Sequence, residues 1–96
     1  MAIGFGEARR RLLAALAAGT FQHEARRGID VKKLLQTGAV TAQEVVQVVS
    51  RCNGSHYVAS PHHAVKQIEV HVLKRDGWYI KFYFVDPDTI FISVHR

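Results

Sequence analysis

Residues 68–85 read Ile68-Glu69-Val70-His71-Val72-Leu73-Lys74-Arg75-Asp76-Gly77-Trp78-Tyr79-Ile80-Lys81-Phe82-Tyr83-Phe84-Val85, and the fold turns on them. Ile68, Val70 and Val72 are apolar at alternate positions, and so are Trp78, Ile80, Phe82 and Phe84. Successive strand side chains point to opposite faces, so each run has one apolar side. Asp76-Gly77 between them is a turn signal, which makes the stretch a β-hairpin. A second turn, Asp86-Pro87-Asp88, leads into Thr89–His95, where Ile90, Ile92 and Val94 keep the alternation. His56–Ser60 is a shorter candidate strand upstream.

Register decides which side chains can meet, because a slip of one residue turns a strand over. A two-residue Asp76-Gly77 loop pairs Val72 with Lys81 and mixes apolar with polar positions. A three-residue loop, Arg75-Asp76-Gly77, pairs Val72 with Ile80 and keeps the apolar positions together, so it is the register expected. Applied to Asp86-Pro87-Asp88, the same reasoning pairs Phe82 with Ile92 and Ile80 with Val94.

The first half has the helical period instead. Phe5, Leu12, Leu13 and Leu16 recur at helical spacing among alanines, with Gly19 as a stop. A short helix fits Val31–Thr37, with Asp30 to cap it and Gly38 to end it. Thr41-Ala42-Gln43-Glu44 is a capping box ahead of Val45, Val48, Val49 and Cys52. The expected fold is therefore α+β: a helical half, 1–54, on one face of a four-stranded antiparallel sheet, 55–96.

A chain of 96 residues has room for one core and one domain, which leaves out two-domain enzymes and repeat arrays. No apolar run reaches the length of a membrane span, and Leu12–Ala18 after Arg9-Arg10-Arg11 reads as an amphipathic helix, not a secretory signal. A cytoplasmic protein with no membrane partner is expected. A single cysteine, Cys52, leaves no internal disulfide and reads as core filling. The net charge of +5 is uneven: residues 1–38 hold seven Lys/Arg against three Asp/Glu, residues 39–96 six against five. Five of the six histidines lie in the second half. A basic excess suits a polyanion, with nucleic acid the commonest.

In the expected register the sheet face away from the apolar positions shows Glu69–Tyr83–Phe91, then His71–Lys81–Ser93, then Leu73–Tyr79–His95, with Gln67 beyond. Opposed side chains sit about 5 Å apart at Cβ. Carboxylate, imidazole, ammonium and phenol on one face suit RNA cleavage through the 2′-hydroxyl, which needs a base, an acid and a cation for the phosphorane. Glu69 or His71 is the candidate base, His95 or His71 the candidate acid. Lys81 and Arg96 face the phosphate, Tyr79 donates a hydrogen bond, and Tyr83 or Phe91 stacks on a base. No cofactor is needed. Arg9, Arg10, Arg26 and Arg27 on the helices are candidate phosphate contacts.

The same residue types are ordinary occupants of a solvated sheet face. A non-catalytic nucleic-acid-binding module and a protein-interaction or immunity domain are therefore the rival readings. His56, His62 and His63 lack a nearby Asp, Glu or Cys to complete a metal set, so no metal site is expected. His23-Glu24 opens like a zinc-protease helix motif, but Arg27 stands where the second histidine belongs.

His56-Tyr57-Val58-Ala59, Gln67-Ile68-Glu69-Val70, Tyr79-Ile80-Lys81 and Ser93-Val94-His95 together resemble the MqsR family of toxin–antitoxin ribonucleases, grouped with RelE-like toxins and barnase among small RNases. The resemblance covers residues 57 to 95. It implies catalytic or RNA-contacting roles for Gln67, Tyr79 and His95. Val58 and His95 stand where that family has lysine. The reading is an endoribonuclease toxin acting on single-stranded or ribosome-bound RNA, held in check by a cognate antitoxin protein.

Overall fold

The computed structural model describes residues 3–24 and 33–96, in the order α1 (Phe5–Ala18), β1 (Phe21–His23), α2 (Leu34–Thr37), α3 (Ala42–Arg51), β2 (Tyr57–Pro61), β3 (Glu69–Arg75), β4 (Trp78–Val85) and β5 (Asp88–His95). It is an α+β fold with a five-stranded mixed sheet ordered β1-β5-β4-β3-β2.

Each helix ends where its chemistry says it must. α1 stops at Gly19, whose φ of 76° is the left-handed conformation glycine adopts without penalty, and the Gly19 amide bonds back to the Ala15 carbonyl at 2.8 Å. α3 starts on the Thr41–Glu44 capping box: the Glu44 amide donates to Thr41 Oγ1 at 3.1 Å, and the Thr41 amide donates to Glu44 Oε1 at 2.9 Å. Val45, Val48 and Val49 fall on its buried side. The expected helix Val31–Thr37 is described only from Lys33 on, where it forms Leu34–Thr37; Asp30 and Val31 lie outside the described residues.

The core joins Leu12 and Leu16 of α1 and Val45, Val48 and Val49 of α3 to Leu73, Ile80, Phe82, Phe91 and Val94 of the sheet. These five strand positions share one side, because Leu73 opposes Ile80, Ile80 opposes Val94 and Phe82 opposes Phe91. Burying each large apolar side chain is worth about 1.5–3 kcal/mol. Cys52 fills this core, and burial pushes its thiol above the ordinary range.

The sheet corrects the expected one in three places. Phe21–His23 adds a fifth strand, parallel to β5, between the first two expected helices, in the half expected to hold no strand. The β3–β4 turn has two residues, so Arg75 opposes Trp78 and Val72 opposes Lys81, not Ile80. Asp76 (φ 54°) and Gly77 (φ 82°) both take positive φ, the geometry whose twist matches a two-residue hairpin. The β4–β5 turn also has two residues, with Val85 opposite Asp88, and a bulge beside Lys81/Phe82 restores the expected pairs Ile80–Val94, Lys81–Ser93 and Tyr79–His95. The bulge puts Phe91, not Ile92, opposite Phe82.

Candidate functional site

The two-residue turn splits the expected polar face between the two sides of the sheet. His71 opposes Phe82, so His71, and with it Glu69, lies on the core side. Phe91 is on the core side too. Tyr79, Lys81, Tyr83, Ser93 and His95 alternate with the core positions and lie on the other, outer side, joined from β3 by Val72, opposite Lys81, and Lys74, opposite Tyr79.

On that outer side the Tyr79 and His95 rings stack, with centroids 5.0 Å apart and planes 17° from parallel. Register explains the stack: the two residues are directly opposed on β4 and β5. Lys74 holds its ammonium 5.5 Å from the Tyr79 ring, so cation, phenol and imidazole follow one another across three strands. Lys81 stands two residues along β4, opposite Ser93, and has no ion-pair partner among the described residues. Arg96 at the strand end turns the other way: its guanidinium lies 5.0 Å over the ring of Trp78, which packs on the core side with Ile80. This end of the face gathers positive charge, from Lys74 and Lys81, beside half-buried π surface.

The other end of the outer face is built differently. Tyr83 donates its hydroxyl to Glu24 Oε2 at 2.7 Å, and His62 Nε2 lies 3.1 Å from the same oxygen. His62 Nδ1 accepts the amides of Ala64 and Val65, each at 3.1 Å, which leaves the ring proton on Nε2, pointing at the carboxylate. The His62 amide donates to the Ile68 carbonyl at 2.8 Å, closing the loop 62–68. His62 is thus only 6% exposed and works as a pin for that loop. Val70 and Val72, also on the outer side, are buried. Glu24 and Tyr83 are 59 residues apart in sequence, and Glu24 and His62 are 38 apart, so no local pattern announces this group.

On the core side His71 is 1% exposed. Its Nδ1 is 2.7 Å from the Tyr57 hydroxyl, its Nε2 is 3.8 Å from Glu69 Oε1, and its ring packs on Phe82 and Phe84. Desolvation in this surrounding lowers the pKa of His71; Glu69 opposes the shift and Arg11 adds to it. The same burial, with Glu69 close by, raises that of Tyr57. Neither His71 nor Glu69 shares a face with Lys81, Tyr79 and His95.

The remaining candidates are dispersed. Gln67 lies in the loop before β3 and, with Ser60, Lys66 and Glu69, lines a surface cavity of about 290 Å³ at the end of the β2–β3 hairpin. Arg9 reaches the Ser50 and Cys52 carbonyls, both at 3.4 Å, and ties α1 to the end of α3. Arg10 is exposed beside Glu7 at 3.8 Å. Arg26 and Arg27 lie outside the described residues.

Among the described residues no three His, Cys, Asp or Glu side chains are grouped to hold a metal ion, and no helix is long and apolar enough to cross a membrane. No family model matches the chain, and no curated protein or solved structure matches it either.

Proposed function

We propose that the chain is a small endoribonuclease toxin that engages RNA on the basic, aromatic end of its outer sheet face. The observation that carries this reading is the Tyr79–His95 stack with Lys74 on its far side and Lys81 next along the strand. Tyr79 and His95 are also two of the positions to which the resemblance to MqsR ribonucleases gives a role.

The chemistry is transesterification. A base removes the 2′-hydroxyl proton, the 2′-oxygen attacks phosphorus, and the bond to the 5′-oxygen breaks as that oxygen takes up a proton. A 2′,3′-cyclic phosphate and a free 5′-hydroxyl result. His95 is the proton-transferring group of this face, oriented by its stack on Tyr79. Lys81 neutralises the phosphorane, and the Tyr79 hydroxyl donates a hydrogen bond to it. Glu69 and His71 have no part in this version, since the sheet separates them from the phosphate. Arg96 and the exposed Arg10 extend the attraction for RNA. A cognate antitoxin covers the outer face.

The test is incubation of the purified chain with RNA, with and without ribosomes, followed by identification of the new ends. Cleavage leaving cyclic phosphates is expected, and His95→Ala lowers its rate by about 10²–10⁴-fold. A folded protein that cleaves in neither setting and does not arrest growth on expression overturns the proposal.

One observation favours a second reading. The shift of Glu69 and His71 to the core side takes two carriers of acid–base chemistry off the face and leaves Lys74, Lys81 and stacked rings. That set also suits a module that binds nucleic acid without cutting it. Binding would then weaken steeply with salt and survive His95→Ala.

A further inference from the structure

The core-side group of His71, Tyr57 and Glu69 does more than fill space, because two of its members also hold the backbone of a residue outside the sheet. The Ile3 amide donates to Glu69 Oε1 at 3.2 Å, and the Tyr57 hydroxyl lies 3.4 Å from the Ile3 carbonyl oxygen. Phe5, the first residue of α1, rests its ring 5.7 Å from that of Tyr57. The groups that flank the imidazole are thus the groups that fix the segment leading into α1.

The Tyr57 hydroxyl has one proton and two acceptors within reach, His71 Nδ1 at 2.7 Å and the Ile3 carbonyl at 3.4 Å. It serves one at a time. In the neutral ring the proton belongs on Nε2, where the N–H points at the Glu69 carboxylate; the other tautomer would set a lone pair against it. Nδ1 then accepts from Tyr57, and the Ile3 carbonyl is left with the longer contact. When Nδ1 gains a proton, the ring becomes the donor to the phenolic oxygen, and the hydroxyl proton is released to the Ile3 carbonyl. The imidazolium meanwhile faces Glu69.

We propose that Tyr57, His71 and Glu69 form a proton-operated latch on the segment leading into α1, held by one backbone hydrogen bond when His71 is neutral and by two when it is protonated. Every charged or titratable group that faces the ring enters the balance. Tyr57 comes from β2, Glu69 from β3 itself, and β4 contributes only Phe82 and Phe84. α1 contributes Arg11, which disfavours the added proton, although its guanidinium lies over Phe84 and is paired with Asp86 at 2.6 Å. Among the described residues Glu69 is the one carboxylate beside the ring, so it is the counter-charge that lets the protonated state exist in a folded chain. The latch concerns the opposite side of the sheet from the ribonuclease reading and stands without it.

The test is NMR on the full chain: histidine nitrogen shifts for the tautomer, and amide exchange from Ile3 to Ala8 between pH 7.5 and 5, corrected for intrinsic rates. Neutral His71 is expected as the Nε2–H tautomer. Protection of the first α1 residues rises about three- to tenfold on acidification, the effect of one added hydrogen bond. Tyr57→Phe keeps the Glu69–Ile3 bond and abolishes the rise. The proposal is overturned by an Nδ1–H tautomer at neutral pH, by flat or falling protection in the parent chain, or by a rise that persists in Tyr57→Phe. Ile80 and Phe82 amides report global opening, whose protection falls on acidification, so the rise is read against them; protection from Ile3 to Ala8 that falls in step with theirs also overturns it.

Discussion

His71 and His95 each stack on a tyrosine, yet the two pairs have opposite surroundings. Tyr57 and His71 lie 5.8 Å apart at 20°, Tyr79 and His95 5.0 Å apart at 17°. The first pair is on the core side, where His71 is 1% exposed and both ring nitrogens face polar groups. The second is on the outer side, half-buried, between Lys74 and Lys81. The difference lies in which side of one sheet the backbone presents, not in the residues. A Tyr–His pair inside must have its polar atoms satisfied by the fold itself. The same pair outside is available to a ligand.

Truncation breaks or sharpens that contrast most directly. His71→Ala opens a space beside Phe82 and Phe84 and leaves Tyr57 and Glu69 without their partner, so it should cost about 2–4 kcal/mol of unfolding free energy. His95→Ala, at a half-buried surface site, should change stability by no more than about 0.5 kcal/mol. Urea denaturation of both variants reads the difference. Equal losses would mean that the two sides of the sheet are not distinct in the way described.

Acidification separates the two sides by a smaller amount. His71 holds its pKa below the ordinary imidazole value of about 6.5, chiefly through burial. The unfolded chain therefore takes up a proton before the folded one as pH falls. Stability is full well above pH 6.5 and declines as pH drops through that value, by at most about 1.4 kcal/mol per pH unit for this one group. His23, lowered by burial and by Lys33, adds a decline of the same sign. The His71 share is what disappears in His71→Gln, measured by denaturation at pH 7.5, 6.5 and 5.5. A slope that His71→Gln leaves unchanged assigns the titration to another group.

Much of the molecule is legible in the residues, and where it is not the reason is local. The Thr41–Glu44 box, the stop at Gly19 and the strand Trp78–Val85 follow from short-range chemistry, and the structure has all three. The β3 register does not follow from alternation. Val70 and Val72 on one side and His71 and Leu73 on the other are all buried, so β3 is covered on both faces and its apolar side names neither. Asp76-Gly77 is the stronger signal, because two positive-φ residues close a two-residue loop without strain. β1 is only three residues long and pairs with β5 across 68 positions, beyond any local pattern. For the site, adjacency of Tyr79 to His95 and of Lys81 to Ser93 is readable from the last hairpin. The Glu24–His62–Tyr83 group is not, since only the folded chain brings its members together.

The turn that decides the two sides offers the smallest measurable effect. Gly77 takes φ 82°, and nothing lies within 4 Å of the place a Cβ would occupy there. Gly77→Ala therefore meets no neighbour, and its whole cost is the left-handed backbone, about 1 kcal/mol. The alternative, a three-residue loop that relieves the strain, would turn β3 over. It would drive His71 and Glu69 outward, take His71 from the Tyr57 hydroxyl and Glu69 from the Ile3 amide, and bring Val72 to the side where Leu73 now packs. Those losses exceed 1 kcal/mol, so the register should hold. Cross-strand NMR contacts between Leu73 and Ile80 in Gly77→Ala should match those of the parent chain, with a urea midpoint slightly lower. Contacts moved to Val72 and Ile80 would show instead that the turn, and not the packing of His71, is what keeps the two sides of the sheet apart.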